Sequence, residues 1–144
     1  MPTFSAESLR TVATDIFEAL GAPREDATTV ANVLVEANLT GHDSHGVIRV
    51  TQYCESVRGG HTVPGAASLV LHETTTTTIH DAGWNFGPVA MSRALEDGMD
   101  KAREHGMHAF GIHDCNHIGR LGHYSDIAAR AGFVPMMTVN STGS

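Results

Sequence analysis

The sequence predicts a mixed α/β fold, in which N-terminal helices lead into a mixed sheet with packed helices. Three observations carry that expectation. Residues up to Gly60 place apolar side chains three and four apart, the stretch Ala67 to Asp81 is rich in Thr, Val, Leu and Ile, and helix and strand patterns alternate beyond it. With 144 residues, 41% of them hydrophobic, the chain has the material for one domain with a modest core. No repeat at solenoid spacing interrupts the order.

From Ser5, the positions Leu9, Val12, Ala13, Ile16, Phe17 and Leu20 form a helical stripe, with Ser5 as N-cap and Gly21 as terminator. Pro23 suits the first turn of a second helix, whose stripe is Ala27, Val30, Ala31, Leu34, Val35 and Asn38, ending toward Gly41. A third helix is expected over Val47 to Arg58, before Gly59-Gly60. Ala67 to Glu73 and Thr74 to Asp81 read as two strands with a tight connection, and the β-favouring run Thr74 to Thr78 is assigned to a strand. Asn85-Phe86-Gly87-Pro88 turns into a helix over Val89 to His105, closed by Gly106. A buried strand over Met107 to Ile112, a helix from Leu121 to Ala131 ended by Gly132, and a strand over Val134 to Val139 complete the pattern.

Nine Lys and Arg against sixteen Asp and Glu give a net charge of −7, which speaks against a phosphate-tracking nucleic-acid surface. Any anion must then be held by local groups. No apolar run approaches the ~20 residues of a membrane span. The start MPTFSAESLR lacks a basic segment followed by an apolar one, so a cytoplasmic protein is expected. Cys54 and Cys115 form no CxxC motif and read as free thiols.

Chemistry concentrates in two segments. GHDSHGVIR, Gly41 to Arg49, lies at the junction of the second and third helices; HDCNHIGR, His113 to Arg120, echoes it, with His beside Asp and a closing Arg. An enzyme that interconverts an alcohol and a carbonyl needs a group exchanging a proton near neutral pH, and histidine has an unperturbed pKa of ~6.5. His45 or His117 is the candidate acid-base. Arg49, one helical turn beyond His45, is a candidate clamp for a substrate carboxylate, which its planar fork fits. Tyr53 continues that face, and Ser44 is placed to hydrogen-bond a substrate oxygen. Asp43, or His42, is alternatively a helix cap. His105, His108 and His123 read as structural.

A metal site is the rival reading. His42 and His45, with His113, Cys115 and His117, supply transition-metal ligands, which would suit a metal-binding hydrolase or a metal-binding domain built on His42, His45, His113 and His117. Against it, neither HExxH nor paired CxxC occurs.

The combination GHDSHGVIRVTQY, NHIGRLGHYSDIAARAG and MMTVNSTGS resembles the type 2 malate/L-lactate dehydrogenase family of NAD(P)-dependent oxidoreductases, which includes ureidoglycolate, sulfolactate and cyclic-imine-carboxylate enzymes. The likeness runs nearly the whole chain, through D-S-H-G-x-x-R-x-x-x-Y, a Gly-Pro helix start and N-H-x-G-x-x-G-x-Y. It implies hydride transfer between NAD or NADP and a small 2-hydroxy or 2-oxo acid, or a related imino acid. It further implies that His117 is the catalytic acid-base, with His45 beside it. Ser44, Arg49 and Tyr53 fall on the substrate pocket, Ser141 falls near a cofactor contact, and no metal is needed. The implied fold is not a Rossmann fold, in keeping with the absence of GxGxxG. Homodimers whose active site draws on both subunits are implied too. Family chains are more than twice as long, so the sequence is expected to be the N-terminal portion of a longer enzyme. Residues 1–60 would then form a helical segment carrying the substrate-pocket motif, and residues 61–144 the start of a catalytic and cofactor domain.

Overall fold

The computed structural model describes residues 3–140. Helix α1, Ala6–Ala19, starts where Ser5 Oγ accepts a hydrogen bond from the Ser8 amide at 3.1 Å. It buries Ala13, Thr14 and Phe17, while Val12, although on the apolar stripe, stays exposed. Gly21, at φ +92, turns the chain, and Pro23 occupies the cap position of α2, Arg24–Leu39. Helix α2 is buried more widely than its stripe suggests, because α1 covers one side and elements from the second half of the chain cover others.

The expected helix from Val47 begins later, as α3, Arg49–Arg58, after a single 3-10 turn at Asp43–His45. Neither Asp43 nor His42 caps it. The cap position is Ile48, with no side-chain cap bond, and Asp43 lies too far upstream to reach the first free amides of α3. Asp43 instead accepts a hydrogen bond from Asn38 Nδ2 at 2.6 Å.

Strand β1, Leu69–Glu73, pairs antiparallel with β2, Thr77–Asp81, and an irregularity in register falls between Val70 and His72. Thr74 to Thr76 form the connection and not strand, a correction to the assignment of the threonine run. The Thr74 hydroxyl accepts from the Thr77 amide at 3.0 Å and bonds the Thr77 hydroxyl at 2.6 Å, a local alternative to ladder pairing. Helix α4, Gly87–His105, then crosses over to β3, Ala109–His113, which runs parallel to β2, so the sheet order is β1-β2-β3. β3 is half-exposed where a buried strand is expected, because among the described residues it has one strand neighbour and lies at the edge of the sheet they form. Helix α5 spans Leu121–Arg130. The strand expected at Val134 to Val139 does not form. Val134 and Met136 are 99% and 93% exposed, and among the described residues no strand lies beside them to complete a ladder, which β propensity alone cannot replace.

Two apolar clusters hold these elements. Phe17, Val30, Leu34, Tyr53, Phe86 and Val89 form the first; Met91, Leu95, Tyr124 and Ala128 form the second, with Phe110, Ile112 and Ile118 packed against it. Helix α4 gives its first turn to one cluster and its middle to the other. A fully buried Phe such as Phe17 is worth roughly 1.5–3 kcal/mol. The segments on either side of α4 are thereby brought together, which decides where the second histidine loop sits.

Candidate active site

The loop after β3 carries His117, and its path is set by an amide, a glycine and a buried carboxylate. Asn116 Nδ2 lies 2.8 Å from the Trp84 carbonyl, 3.1 Å from that of His61 and 3.2 Å from that of Asn85, tying the loop to two other segments. At Gly87 the loop backbone comes so close that a Cβ would overlap the carbonyls of Asn116 and His117. The turn ahead of Gly87 is braced in its own right. Asn85 Nδ2 donates to the Ala66 carbonyl at 2.9 Å and to Asp26 at 3.3 Å, and its Oδ1 accepts from the Phe86 amide at 2.7 Å. Asp26 is 2% exposed and pairs with Arg93 at 2.6 Å, so its charge is compensated. Trp84 and Asp114, which flank this arrangement, sit at φ +58 and +48, and the Trp84 amide donates to the Asp114 carbonyl at 2.8 Å. Non-glycine residues in that region cost energy and concentrate at functional sites.

The other histidine segment is held by Asn38 of α2. Its Nδ2 donates to Asp43, and its Oδ1 accepts from the Val47 amide at 2.8 Å. Gly46 lies against that same amide, with no room for a side chain. Within the turn, Ser44 Oγ is 3.0 Å from His45 Nδ1. Arg49 Nε donates to the Ser44 carbonyl at 2.6 Å and its Nη1 to Gln52 Oε1 at 2.7 Å, which fixes the plane of the guanidinium.

These elements bring His45, Tyr53 and His117 into one group. The imidazoles of His45 and His117 stack with centroids 5.5 Å apart and planes 27° apart. The Tyr53 hydroxyl is 2.9 Å from His117 Nδ1 and donates to the His117 carbonyl at 3.0 Å. The Tyr53 ring is buried against Phe17 and Phe86. Beside the group is a cavity of about 300 Å³, lined by Gln52, Tyr53, Ser56, Thr62, Trp84, Phe86, Gly87, Cys115, Asn116 and His117. Tyr53 and His117 therefore stand on its wall, while Ser44, His45 and Arg49 do not line it and lie on the adjoining turn and the start of α3. Ser141 lies outside the described residues.

The electrostatics favour a neutral base. Burial lowers the His117 pKa below the ordinary histidine value, and the Arg49 charge and His45 lower it further. Burial raises the Tyr53 phenol, which stays protonated at any ordinary pH. The Cys115 thiol is pushed up to about 11 by burial, so it is an un-ionised wall residue and not a nucleophile at neutral pH.

The four-histidine metal set is not assembled. His42 Nδ1 lies 3.1 Å from the Thr40 carbonyl, and His113 pairs with Asp114 at 3.2 Å. Among the described residues, the donor atoms that converge are those of Asp81, His113 and Asp114, which include one of the four histidines. The physical reason is that His113 ends β3 and belongs to the sheet, whereas His117 lies four residues on, beyond a turn at Asp114 that redirects the chain.

Sequence reading takes Asn85 and Gly87 only as a turn into α4 and Asn116 only as part of a motif, and passes over Asp26 and Trp84. One of them left a signal: Asp26 stands four residues before Val30 and eight before Leu34, so an acidic side chain falls on the buried face of α2. The others act through backbone carbonyls or close approach, which no residue pattern reports.

Comparisons with known proteins agree with the fold and with the motifs. A family model described as malate/L-lactate dehydrogenase matches residues 4–144. Hydroxycarboxylate dehydrogenase B of Escherichia coli is 34% identical over 97% of this chain and 39% of its own length. L-sulfolactate dehydrogenase of Methanothermobacter thermautotrophicus is 34% identical over 88% of this chain and 37% of its own. Among solved structures, malate dehydrogenase from Pyrococcus horikoshii superposes with a TM-score of 0.89 at 29% identity, over 91% of this chain and 38% of that one. The delta1-piperideine-2-carboxylate reductase from Pseudomonas syringae superposes with a TM-score of 0.83 at 26% identity, over 92% and 40% respectively. The chain thus spans about two fifths of the length of the relatives it matches.

Proposed function

The chain belongs to the malate/L-lactate dehydrogenase family, and on that premise we propose that it serves hydride transfer between NAD or NADP and a small 2-hydroxy or 2-oxo acid, malate- or lactate-like, or a related imino acid. The observation that carries the reading is a half-buried histidine, His117, bonded to Tyr53, stacked on His45 and placed on the wall of a cavity of about 300 Å³. His117 takes the alcohol proton in oxidation and returns it in reduction. Arg49, whose charge is felt at His117, grips the substrate carboxylate; Ser44 and His45 orient the reacting oxygen, and Tyr53 completes that wall.

When bound, the nicotinamide accepts or supplies the hydride. One place that could have cradled its pyrophosphate is closed. In the glycine-containing approach to α5, the Arg120 guanidinium fills the space over Gly122, and Val33 crowds Gly119. Its contacts are assigned to groups outside the described residues, Ser141 among them. The reading includes a cytoplasmic homodimer sharing its sites between subunits, in which residues 1–60 contribute the pocket motif and residues 61–144 begin the catalytic and cofactor domain. No helix among the described residues is long and apolar enough to cross a membrane.

The test is His117→Ala, assayed at 340 nm with a panel of 2-hydroxy and 2-oxo acids. Turnover is expected to fall about 10²–10⁴-fold, with nucleotide binding intact. Unchanged turnover overturns the assignment.

A further inference from the structure

The Tyr53 hydroxyl has one proton and two neighbours on the same residue, Nδ1 of His117 at 2.9 Å and the His117 carbonyl oxygen at 3.0 Å. A carbonyl only accepts, so the phenolic proton points at it. The remaining contact is a hydrogen bond only if Nδ1 carries a proton and donates to the phenol. With the opposite tautomer, two acceptors would face one proton, and an unprotonated Nδ1 would meet an oxygen lone pair in a place where the Tyr53 side chain is buried. From this geometry we infer that Tyr53 is a positioning residue: it holds the proton of neutral His117 on Nδ1 and leaves the Nε2 lone pair as the base for the substrate hydroxyl.

The inference rests on the proposed reading for its catalytic half and on geometry alone for its tautomer half. It also separates two histidines that look equivalent in sequence. His45 Nδ1 faces the Ser44 hydroxyl at 3.0 Å, but that hydroxyl rotates and can donate or accept, so the pairing leaves the His45 tautomer open. His117 is held in one tautomer because its partner's only proton is committed elsewhere. The proton step is then simple. The substrate O–H bond breaks, an Nε2–H bond forms, and imidazole becomes imidazolium with its Nδ1–H still donated to Tyr53. The return step reverses this without rearranging the Tyr53 contacts.

The experiment combines nitrogen-15 NMR of the His117 ring with kinetics of Tyr53→Phe, which keeps the aromatic packing against Phe17 and Phe86. In the wild-type protein at neutral pH, Nδ1 is expected to show the shift of a protonated nitrogen and Nε2 that of an unprotonated one. In Tyr53→Phe the ring is expected to become a mixture enriched in the Nε2–H form. Its kcat for alcohol oxidation should fall about 10-fold, with KM and the nucleotide Kd changed less than about twofold. A wild-type spectrum showing Nε2–H overturns the inference, and that readout stands even if Tyr53→Phe does not fold. A variant that keeps Nδ1–H, or that shifts tautomer without losing kcat, overturns it as well. Should the wild-type protein turn over no hydroxy, oxo or imino acid, the functional reading falls, while the ring spectrum still decides the tautomer.

Discussion

The two histidine segments, GHDSHGVIR and HDCNHIGR, are alike in composition and unlike in how they are held. The turn at Asp43–His45 is largely exposed and is held by two side chains, Asn38 and Arg49. The His117 loop is clamped by Asn116 to three carbonyls, pressed onto Gly87, backed by Val33 at Gly119 and anchored by Tyr124, whose hydroxyl donates to the Ile118 carbonyl at 2.5 Å. A base must be placed to within a fraction of an ångström of the proton it takes, whereas groups that bind a carboxylate tolerate adjustment. The rigid loop suits the first task and the lightly tied turn the second. Composition advertises the two loops equally; connectivity to the rest of the fold tells them apart.

Three measurements sharpen or break that contrast, beyond the loss of turnover expected for His117→Ala. The largest effect should come from Gly87→Ala, because the added methyl has nowhere to go except into the Asn116 and His117 backbone. A loss of about 2–3 kcal/mol in urea unfolding is expected, with turnover falling alongside; an unchanged midpoint would mean that the loop yields easily and is not clamped. Asn38→Ala should do less, about 1 kcal/mol, since its bonds lie near the surface. Its kinetic signature should be a raised KM for the acid with kcat nearly kept. If kcat falls and KM holds, the turn is part of the base's support and the division of labour is wrong.

The smallest effect is in pH. His117 is held below the ordinary histidine pKa by burial, then by Arg49 and His45. Alcohol oxidation needs the neutral ring, so kcat/KM for oxidation should rise along a limb centred below ~6.5; carbonyl reduction, which needs the imidazolium, should fall along the same limb. Stability follows the same sign. A histidine whose folded pKa is depressed binds fewer protons folded than unfolded, so stability is lost as pH falls from the unfolded value toward the folded one. His80, His108 and His123 are lowered by burial as well and add to the trend. Thermal melts should therefore show a lower Tm at pH 5.5 than at pH 7.5, and a flat profile would argue that these rings are not buried as neutral groups.

Much of this was legible from local signals. Ser5, Gly21, Pro23, Pro88 and Gly106 mark helix ends because a cap, a left-handed residue or a fixed φ acts within one turn of chain, and all five helices fall within two residues of their expected limits. The motifs named His45, Tyr53 and His117, which the fold does bring together. The misses share a cause: the Thr74 turn, the half-exposed β3 and the absent strand at Val134 to Val139 all depend on what lies beside a segment, and pairing partners are not written in its own residues.

The sequence by itself therefore determined the helices, the two chemical segments and the residue types available for proton exchange, since these are properties of side chains and of neighbours a few positions apart. Which histidine meets the Tyr53 hydroxyl was decided by tertiary structure. Helix α4, packed into the two apolar clusters by its first turn and its middle, returns the chain so that residues 116 and 117 meet residues 53, 84, 85 and 87, and only that long-range closure sets the Tyr53 hydroxyl against His117 Nδ1.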